Sequence, residues 1–228
     1  MKLGQTQLEC ITEISEVLRN DGIGRVEKYY GRSGEFPQDY HHAPHTAETV
    51  DSVVEIAELA LKRGKIEPVQ VPILVIAAAF HDAYYDPVNK TENELKSADI
   101  ALSAMSRFTC FDSEHYDMVK RYIMATAVKE FYPRLVQNVD PNDYAQGIIA
   151  DADLHYFGRT PDVFIPRAEG YLKELRKTQG QKPLPFLMNN CVLLENHVWN
   201  TVEAEELYPH TNENIQALHV YQTRFAVQ

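Results

Sequence analysis

The feature that most constrains the fold is an apolar run that stops at a histidine and an aspartate. Residues 72 to 80 are apolar throughout, and His81 and Asp82 follow directly. The run extends back to Val69, and its length, its early proline and its alanine triplet predict a buried helix rather than a strand. An imidazole and a carboxylate at the end of such a helix need a compensating partner, and a metal cation can serve both.

The rest of the chain carries apolar residues at helical spacing. These stripes predict helices at residues 3 to 19, 44 to 63, 69 to 80, 92 to 107, 113 to 130, 144 to 154, 161 to 178, 184 to 203 and 210 to 224. Residues 21 to 40 are rich in glycine and predict a connection, apart from one or two helical turns between Val26 and Tyr30. Because no alternating apolar runs are joined by hairpin turns, we expect an all-α fold.

Charge limits the ligands that the chain can bind. The formal net charge of −11 repels a nucleic-acid backbone, and no basic cluster offsets it, so binding to long nucleic acid is not expected. A small anionic substrate meets the same repulsion. An activity directed at phosphate therefore requires a bound cation.

The cysteines and the apolar segments indicate a cytoplasmic protein. Cys10, Cys110 and Cys191 are odd in number and far apart, which predicts reduced thiols rather than a disulfide framework or a zinc knuckle. No apolar stretch reaches the roughly 20 residues that span a membrane, and the first residues contain no apolar signal core. We expect no membrane association.

Four residues are candidate metal ligands: His45, His81, Asp82 and an aspartate near position 151. Two imidazoles and two carboxylates suit Mn, Fe, Co, Ni, Zn or Mg. On an ideal helix, Asp151 and Asp153 each lie about 100° to one side of the apolar centre. Helical spacing therefore does not choose between them.

The order His, His-Asp, Asp on a helical chain resembles the HD superfamily of metal-dependent phosphohydrolases. Tyr40, His41 and His45 fit the Tyr-His-x-x-x-His segment of that family, and alanines before His81 and Asp82 are typical of it. Further similarity to one branch lies in Tyr85-Asp86-Pro87, in the Asn-Glu-x-x-Ser-Ala signature of Asn93, Glu94, Ser97 and Ala98, in Ala125-Thr126, in Asp151-Ala152-Asp153-Leu154 and in Asn212-Glu213-Asn214-Ile215. The chain departs from the branch after Thr126, where a histidine is often found and residues 127 to 130 contain none.

The resemblance implies one HD-type helical domain over residues 1 to 228. Its metal-site core would lie at about 40 to 157, and a C-terminal helical extension at about 161 to 224. By the same resemblance the metal ligands are His45, His81, Asp82 and Asp151, and Asp82 bridges a second ion where one binds. Only the alignment with the family favours Asp151 over Asp153.

The resemblance also implies a reaction. A bound divalent metal lowers the pKa of its water toward about 7 and supplies a hydroxide that attacks phosphorus. His41 matches the histidine that protonates the leaving oxygen in related cyclic-nucleotide phosphodiesterases, a role that typically adds roughly 10² to 10⁴ in rate. Glu94 would orient the water or a ligand. We expect hydrolysis of a phosphomonoester or phosphoanhydride of a small molecule such as a nucleotide.

Three other functions stay open. The spacing of His41 and His45 is compatible with a cyclic-nucleotide phosphodiesterase. A domain that binds metal and nucleotide without catalysis would keep the ligands and dispense with His41. A di-iron oxygenase usually requires additional histidine ligands, which this motif set does not supply.

Overall fold

The computed structural model describes residues 5–130 and 132–226. Ten α-helices form most of this part of the chain, and they confirm the predicted all-α class. They are α1 (Gln5–Tyr30), α2 (Ala43–Lys62), α3 (Gln70–Phe80), α4 (Asn93–Met105), α5 (Ser113–Ala125), α6 (Tyr144–Asp153), α7 (Pro161–Gln179), α8 (Pro183–Glu195), α9 (Val202–Leu207) and α10 (Thr211–Ala226). Two 3₁₀ turns, Lys90–Glu92 and His155–Gly158, and an antiparallel pair, β1 (Val128–Glu130) with β2 (Val136–Gln137), complete the described elements.

Helix α3 is the central element. Every residue from 72 to 80 is buried, and α1, α2, α4, α5 and α6 all pack against the helix. A helix that is apolar on all sides must be enclosed in this way. It ends at Phe80, so that His81 and Asp82 are the first residues beyond its C-terminal end.

Helix α1 continues to Tyr30, so the predicted connection over residues 21 to 40 is wrong in its first half. Packing explains Gly22, because a Cβ at that position would lie 2.4 Å from the carbonyl oxygen of Ala79 in α3. Glycine serves here for close approach rather than to break the helix. Residues 3 and 4 of the predicted first helix lie outside the described residues.

Replacing Gly22 by Ala is expected to destabilise the protein by about 1–3 kcal/mol, because the added methyl group must displace the backbone of α3. Gly24→Ala is the matched control in the same helix. A Cβ at Gly24 meets nothing within 4 Å, and Ala favours a helix over Gly by about 0.5–1 kcal/mol. Urea denaturation measures both effects. Equal stability of the two variants would contradict the close packing of α1 on α3.

Two predicted helices end early. The helix predicted to reach residue 130 stops at Ala125, where the Oγ1 of Thr126 donates to the carbonyl of Ile123, and the chain then enters β1. The helix predicted for residues 184 to 203 stops at Glu195. Thr201 then caps α9, since its side chain accepts a hydrogen bond from the amide of Ala204.

The C-terminal helices are joined to the central ones by buried side chains. Helices α7, α8 and α10 enclose a second apolar cluster that includes Phe164, Leu172 and Phe186. Tyr40, which precedes α2, belongs to this cluster, and Trp199 packs against both clusters. Within the described residues, no helix has the length and apolar character needed to cross a membrane.

Candidate metal centre

Four side chains converge beyond the C-terminal end of α3. The Nε2 atoms of His45 and His81 are 3.4 Å apart. Asp82 Oδ2 lies 3.6 Å from the Nε2 of His45 and 3.2 Å from that of His81. Asp153 Oδ1 lies 3.2 Å and 3.4 Å from the same two nitrogens. Two imidazole nitrogens and two carboxylate oxygens therefore surround one small volume.

Each of these side chains is held by the end of a helix. His45 lies in the first turn of α2, which has Pro44 among its first positions. The Nδ1 of His81 is 2.7 Å from the carbonyl oxygen of Ala78. Because a carbonyl only accepts, Nδ1 carries a proton, and Nε2 is the nitrogen that faces the cluster and is available to a metal. Asp153 is the last residue of α6.

The residues present fit a divalent metal. Ligand atoms of His45, His81 and Asp153 all lie within 4.8 Å of one another, close enough to hold one ion. Asp82 Oδ2 is buried and has no hydrogen-bond partner among the residues described. Such an oxygen is costly unless a cation satisfies it. The mixed nitrogen and oxygen set suits Mn, Fe, Co, Ni, Zn or Mg.

The ionisable groups of the cluster depend on one another. Burial opposes the charged form of His81, yet Asp82 and Asp153 raise the pKa of His81 well above its usual value. Burial lowers the pKa of His45, against the pull of Asp153. Burial also opposes ionisation of Asp82, but His81 in particular holds the pKa of Asp82 at about 2. The two carboxylates therefore need a positive charge between them, which a proton on His81 or a metal ion supplies.

Asp151 lies outside this cluster. Its two carboxylate oxygens accept four hydrogen bonds of 2.7 to 2.9 Å, from the backbone and side chains of Asn200 and Thr201. The assignment of Asp151 as the fourth ligand is therefore corrected to Asp153. Two positions on a helix turn through about 200°, so the two aspartates face opposite ways: Asp151 toward the segment before α9, Asp153 toward the histidines.

A cavity of about 530 Å³ opens on the cluster. Its acidic end contains His81, Asp82, Glu94 and Asp153. The remainder of the lining is mainly aromatic and amide side chains with one lysine, and it includes His41, Tyr85, Lys90, Tyr171, Phe186, Asn189 and Asn190. A cavity of this volume accommodates a small organic ligand. Helices α7 and α8 supply part of the wall, so the C-terminal extension takes part in the site.

His41 lines this cavity and is oriented by Glu174, a residue of α7 that was not predicted. The Nδ1 of His41 is 2.6 Å from Glu174 Oε1, and its ring stacks on Tyr85 with centroids 3.8 Å apart. The Glu174 carboxylate also accepts from the Tyr85 hydroxyl and from the backbone N–H groups of Tyr40 and His41. Because a carboxylate only accepts, the proton on Nδ1 faces Glu174, and Nε2 is the nitrogen left for a ligand.

No motif in the sequence singled out Glu174 as a site residue. It is one of many charged residues on the amphipathic helix α7, and its partner His41 lies 133 positions earlier. The one available signal is its place three residues after Tyr171, on the same face of the helix. The side chain is only 1% exposed.

The predicted site residue Glu94 lies in the cavity wall. Burial raises the pKa of Glu94, and the carboxylates of Asp82 and Asp153 act in the same direction. The other residues of its signature hold the loop after Asp82: Asn93 Oδ1 accepts from the amide of Asp86, and Ser97 Oγ accepts from the amide of Tyr84.

Stability in acid should depend on Glu174. Burial opposes its ionisation, but His41 above all, and then Tyr85, hold the pKa of Glu174 at about 2, below the usual 4.5. A depressed pKa stabilises the folded state above about pH 4.5, and this stabilisation is lost as the pH falls toward 2. The lowered pKa of Glu174 corresponds to roughly 3 kcal/mol of stabilisation of the folded state at neutral pH. Unfolding of wild type and Glu174→Gln between about pH 5 and about pH 2.5 should show the steeper loss in wild type. Parallel curves would contradict this role.

No protein-family model matches the chain, and no curated protein with a similar sequence was found.

Proposed function

We propose that this protein is a metal-dependent phosphohydrolase of HD type that hydrolyses a phosphomonoester or phosphoanhydride of a small molecule such as a nucleotide. The observation that carries the proposal is that His41, which Glu174 orients, lines the same cavity as His81, Asp82 and Asp153 of the cluster. A metal site alone is compatible with simple binding. A histidine oriented by a buried carboxylate beside it supports proton transfer to a reacting group.

In this proposal His45, His81, Asp82 and Asp153 would hold the divalent metal. When bound, such an ion lowers the pKa of a water molecule and takes up charge on the phosphoryl oxygens. In hydrolysis the water oxygen would form a bond to phosphorus as the bond between phosphorus and the leaving oxygen breaks, and the proton of the water would pass to solvent. Glu94, at the acidic end of the cavity, orients the water or a ligand.

His41 then protonates the leaving oxygen from Nε2. Glu174 accepts a hydrogen bond from Nδ1–H and balances the positive charge of the imidazolium, and the stacked Tyr85 ring restrains rotation of the imidazole. A general acid positioned in this way typically contributes about 10² to 10⁴ in rate. A cyclic-nucleotide phosphodiesterase would use the same pair, so cyclic nucleotides belong among the substrates to be tested.

Turnover of a substrate panel tests the proposal. Protein loaded with Mn, Mg, Co or Ni would be assayed with phosphomonoesters, nucleoside triphosphates and cyclic nucleotides. His45→Ala, prepared in the same way, controls for contaminating phosphatases. We expect metal-dependent turnover of at least one class and its loss in the control.

Absence of turnover of every member would contradict the enzyme proposal. The protein would then be better described as a binding domain if nucleotides still bound the metal-loaded protein and His41→Ala bound them equally well.

A further inference from the structure

Lys90 is the one Lys or Arg side chain in the lining of the described cavity. It belongs to the 3₁₀ turn before α4, and its Nζ lies 5.9 Å from the ring centroid of Tyr85 and 5.7 Å from that of Tyr171. Within the described part of the chain its ammonium group forms neither an ion pair nor a hydrogen bond. Two aromatic faces, rather than a carboxylate, therefore hold this ammonium group in place.

The surroundings of Lys90 are acidic but do not neutralise it. Burial lowers the pKa of Lys90, while Glu174, Asp82 and Glu94 act in the opposite direction from beyond ion-pairing distance. The residue as a whole is exposed. The lowered pKa and the exposure of the residue agree if the aliphatic part of the Lys90 side chain lies at the surface and its ammonium group lies in the cavity. A cation in this position is available to an anionic ligand.

The cavity needs such a cation. The chain has a net charge of −11, and Asp82, Glu94 and Asp153 add negative charge at one end of the cavity. A metal ion would offset only the negative charge of the carboxylates around it. The volume of about 530 Å³ also exceeds what a single phosphate group fills, and the same cavity is lined by three residues of the metal cluster and by Lys90.

We propose that Lys90 forms a phosphate subsite distinct from the metal centre, so that the cavity selects small molecules with two phosphate groups, one bound at the metal centre and one at Lys90. This inference rests on the proposed function for the reaction, but the subsite itself rests on the surroundings of Lys90. Substrates with a phosphoanhydride or with two phosphoester groups meet this requirement. Substrates with one phosphate group use the metal centre alone.

Inorganic phosphate is the probe, and metal-free protein is used so that the metal centre does not contribute. Phosphorus-31 line broadening at constant ionic strength measures binding. Lys90→Met should weaken binding at least about tenfold, since it removes a charge-assisted contact, and Lys90→Arg should retain binding. Lys96→Met is the matched control, because Lys96 pairs with Glu92 and is not in the cavity lining. It should bind as wild type does.

Absence of phosphate binding to wild type, or equal binding to Lys90→Met, would overturn the subsite. With metal-loaded protein, Lys90→Met should raise KM more for substrates with two phosphate groups than for those with one. The two proposals fail separately. Phosphate binding through Lys90 without any turnover contradicts the enzyme alone, whereas turnover with no effect of Lys90→Met on KM or on phosphate binding contradicts the subsite alone.

Discussion

Replacing Asp153 by Asn is expected to weaken divalent-metal binding by at least about 100-fold and to abolish metal-dependent turnover. Removal of a residue that only hydrogen-bonds a metal ligand typically lowers metal affinity by roughly 10- to 100-fold, and removal of the ligand itself should lower it more. Asp153 Oδ1 lies 3.2 Å and 3.4 Å from the Nε2 atoms of His45 and His81. Asn has nearly the same shape but lacks the negative charge. Isothermal titration with Mn²⁺ and the metal content after dialysis provide the measurement.

Asp151→Asn is the matched control, with the same chemical change two positions away. Metal binding should persist, because Asp151 contacts Asn200 and Thr201 rather than the cluster. The protein should lose about 1–3 kcal/mol of stability, since buried donors are left poorly paired. Loss of metal in folded Asp151→Asn, together with native affinity in Asp153→Asn, would reverse the assignment of the two residues.

Signals within a single helix were sufficient for much of the fold and for three of the four cluster residues. The continuous apolar run predicted that α3 is buried and that His81 and Asp82 follow its end. Pro44 marked the start of α2 and therefore the position of His45 in its first turn. Each of these inferences depends on residues that are neighbours in sequence, where periodicity and capping act.

The choice between Asp151 and Asp153 depends on how α6 is rotated against its neighbours. That rotation is set partly by the segment before α9, whose amides at Asn200 and Thr201 bind Asp151. The predicted helix over residues 184 to 203 included Asn200 and Thr201, so the prediction did not show that these residues form a separate non-helical segment. Periodicity gives the faces of a helix but not the partner that each polar face meets, and the family resemblance favoured the other aspartate.

The cavity wall was the least predictable part of the site. The expected division into a metal-site core and a C-terminal extension separated His41 from Glu174, although the two side chains form a hydrogen bond. Lys90 belongs to none of the motifs found in the sequence, and its place in the cavity follows from its distances to the rings of Tyr85 and Tyr171. Contacts between residues so far apart in sequence arise from the packing of whole helices.

The second large effect concerns the His41–Glu174 pair. His41→Gln should lower kcat by about 10² to 10⁴ while metal content is retained, because a general acid is removed and no cluster residue is touched. Glu174→Gln should lower kcat by a smaller factor, about 10 to 10². Gln can still accept a hydrogen bond from Nδ1–H, but it does not balance the positive charge of the imidazolium. Steady-state kinetics with the best substrate of the panel measures both variants.

A positioning role for Glu174 is distinguished from a purely structural one by Tyr85→Phe. This change removes one donor to Glu174 but keeps the ring that stacks on His41 and the contact between Glu174 and the imidazole. The kcat of Tyr85→Phe should therefore stay close to that of wild type.

Combining the two substitutions gives the sharper test. Residues that act as one unit are not additive, so His41→Gln with Glu174→Gln should reduce kcat no further than His41→Gln alone. If the two losses multiplied instead, Glu174 would be acting on the fold or on substrate independently of His41. Because Glu174 accepts hydrogen bonds from the backbone of Tyr40 and His41 as well as from the imidazole, the kinetics must be compared at equal folded fraction, which far-UV circular dichroism and thermal unfolding establish. A lower kcat of the double variant that comes only from a smaller folded fraction would then be distinguished from a lower kcat of the folded enzyme.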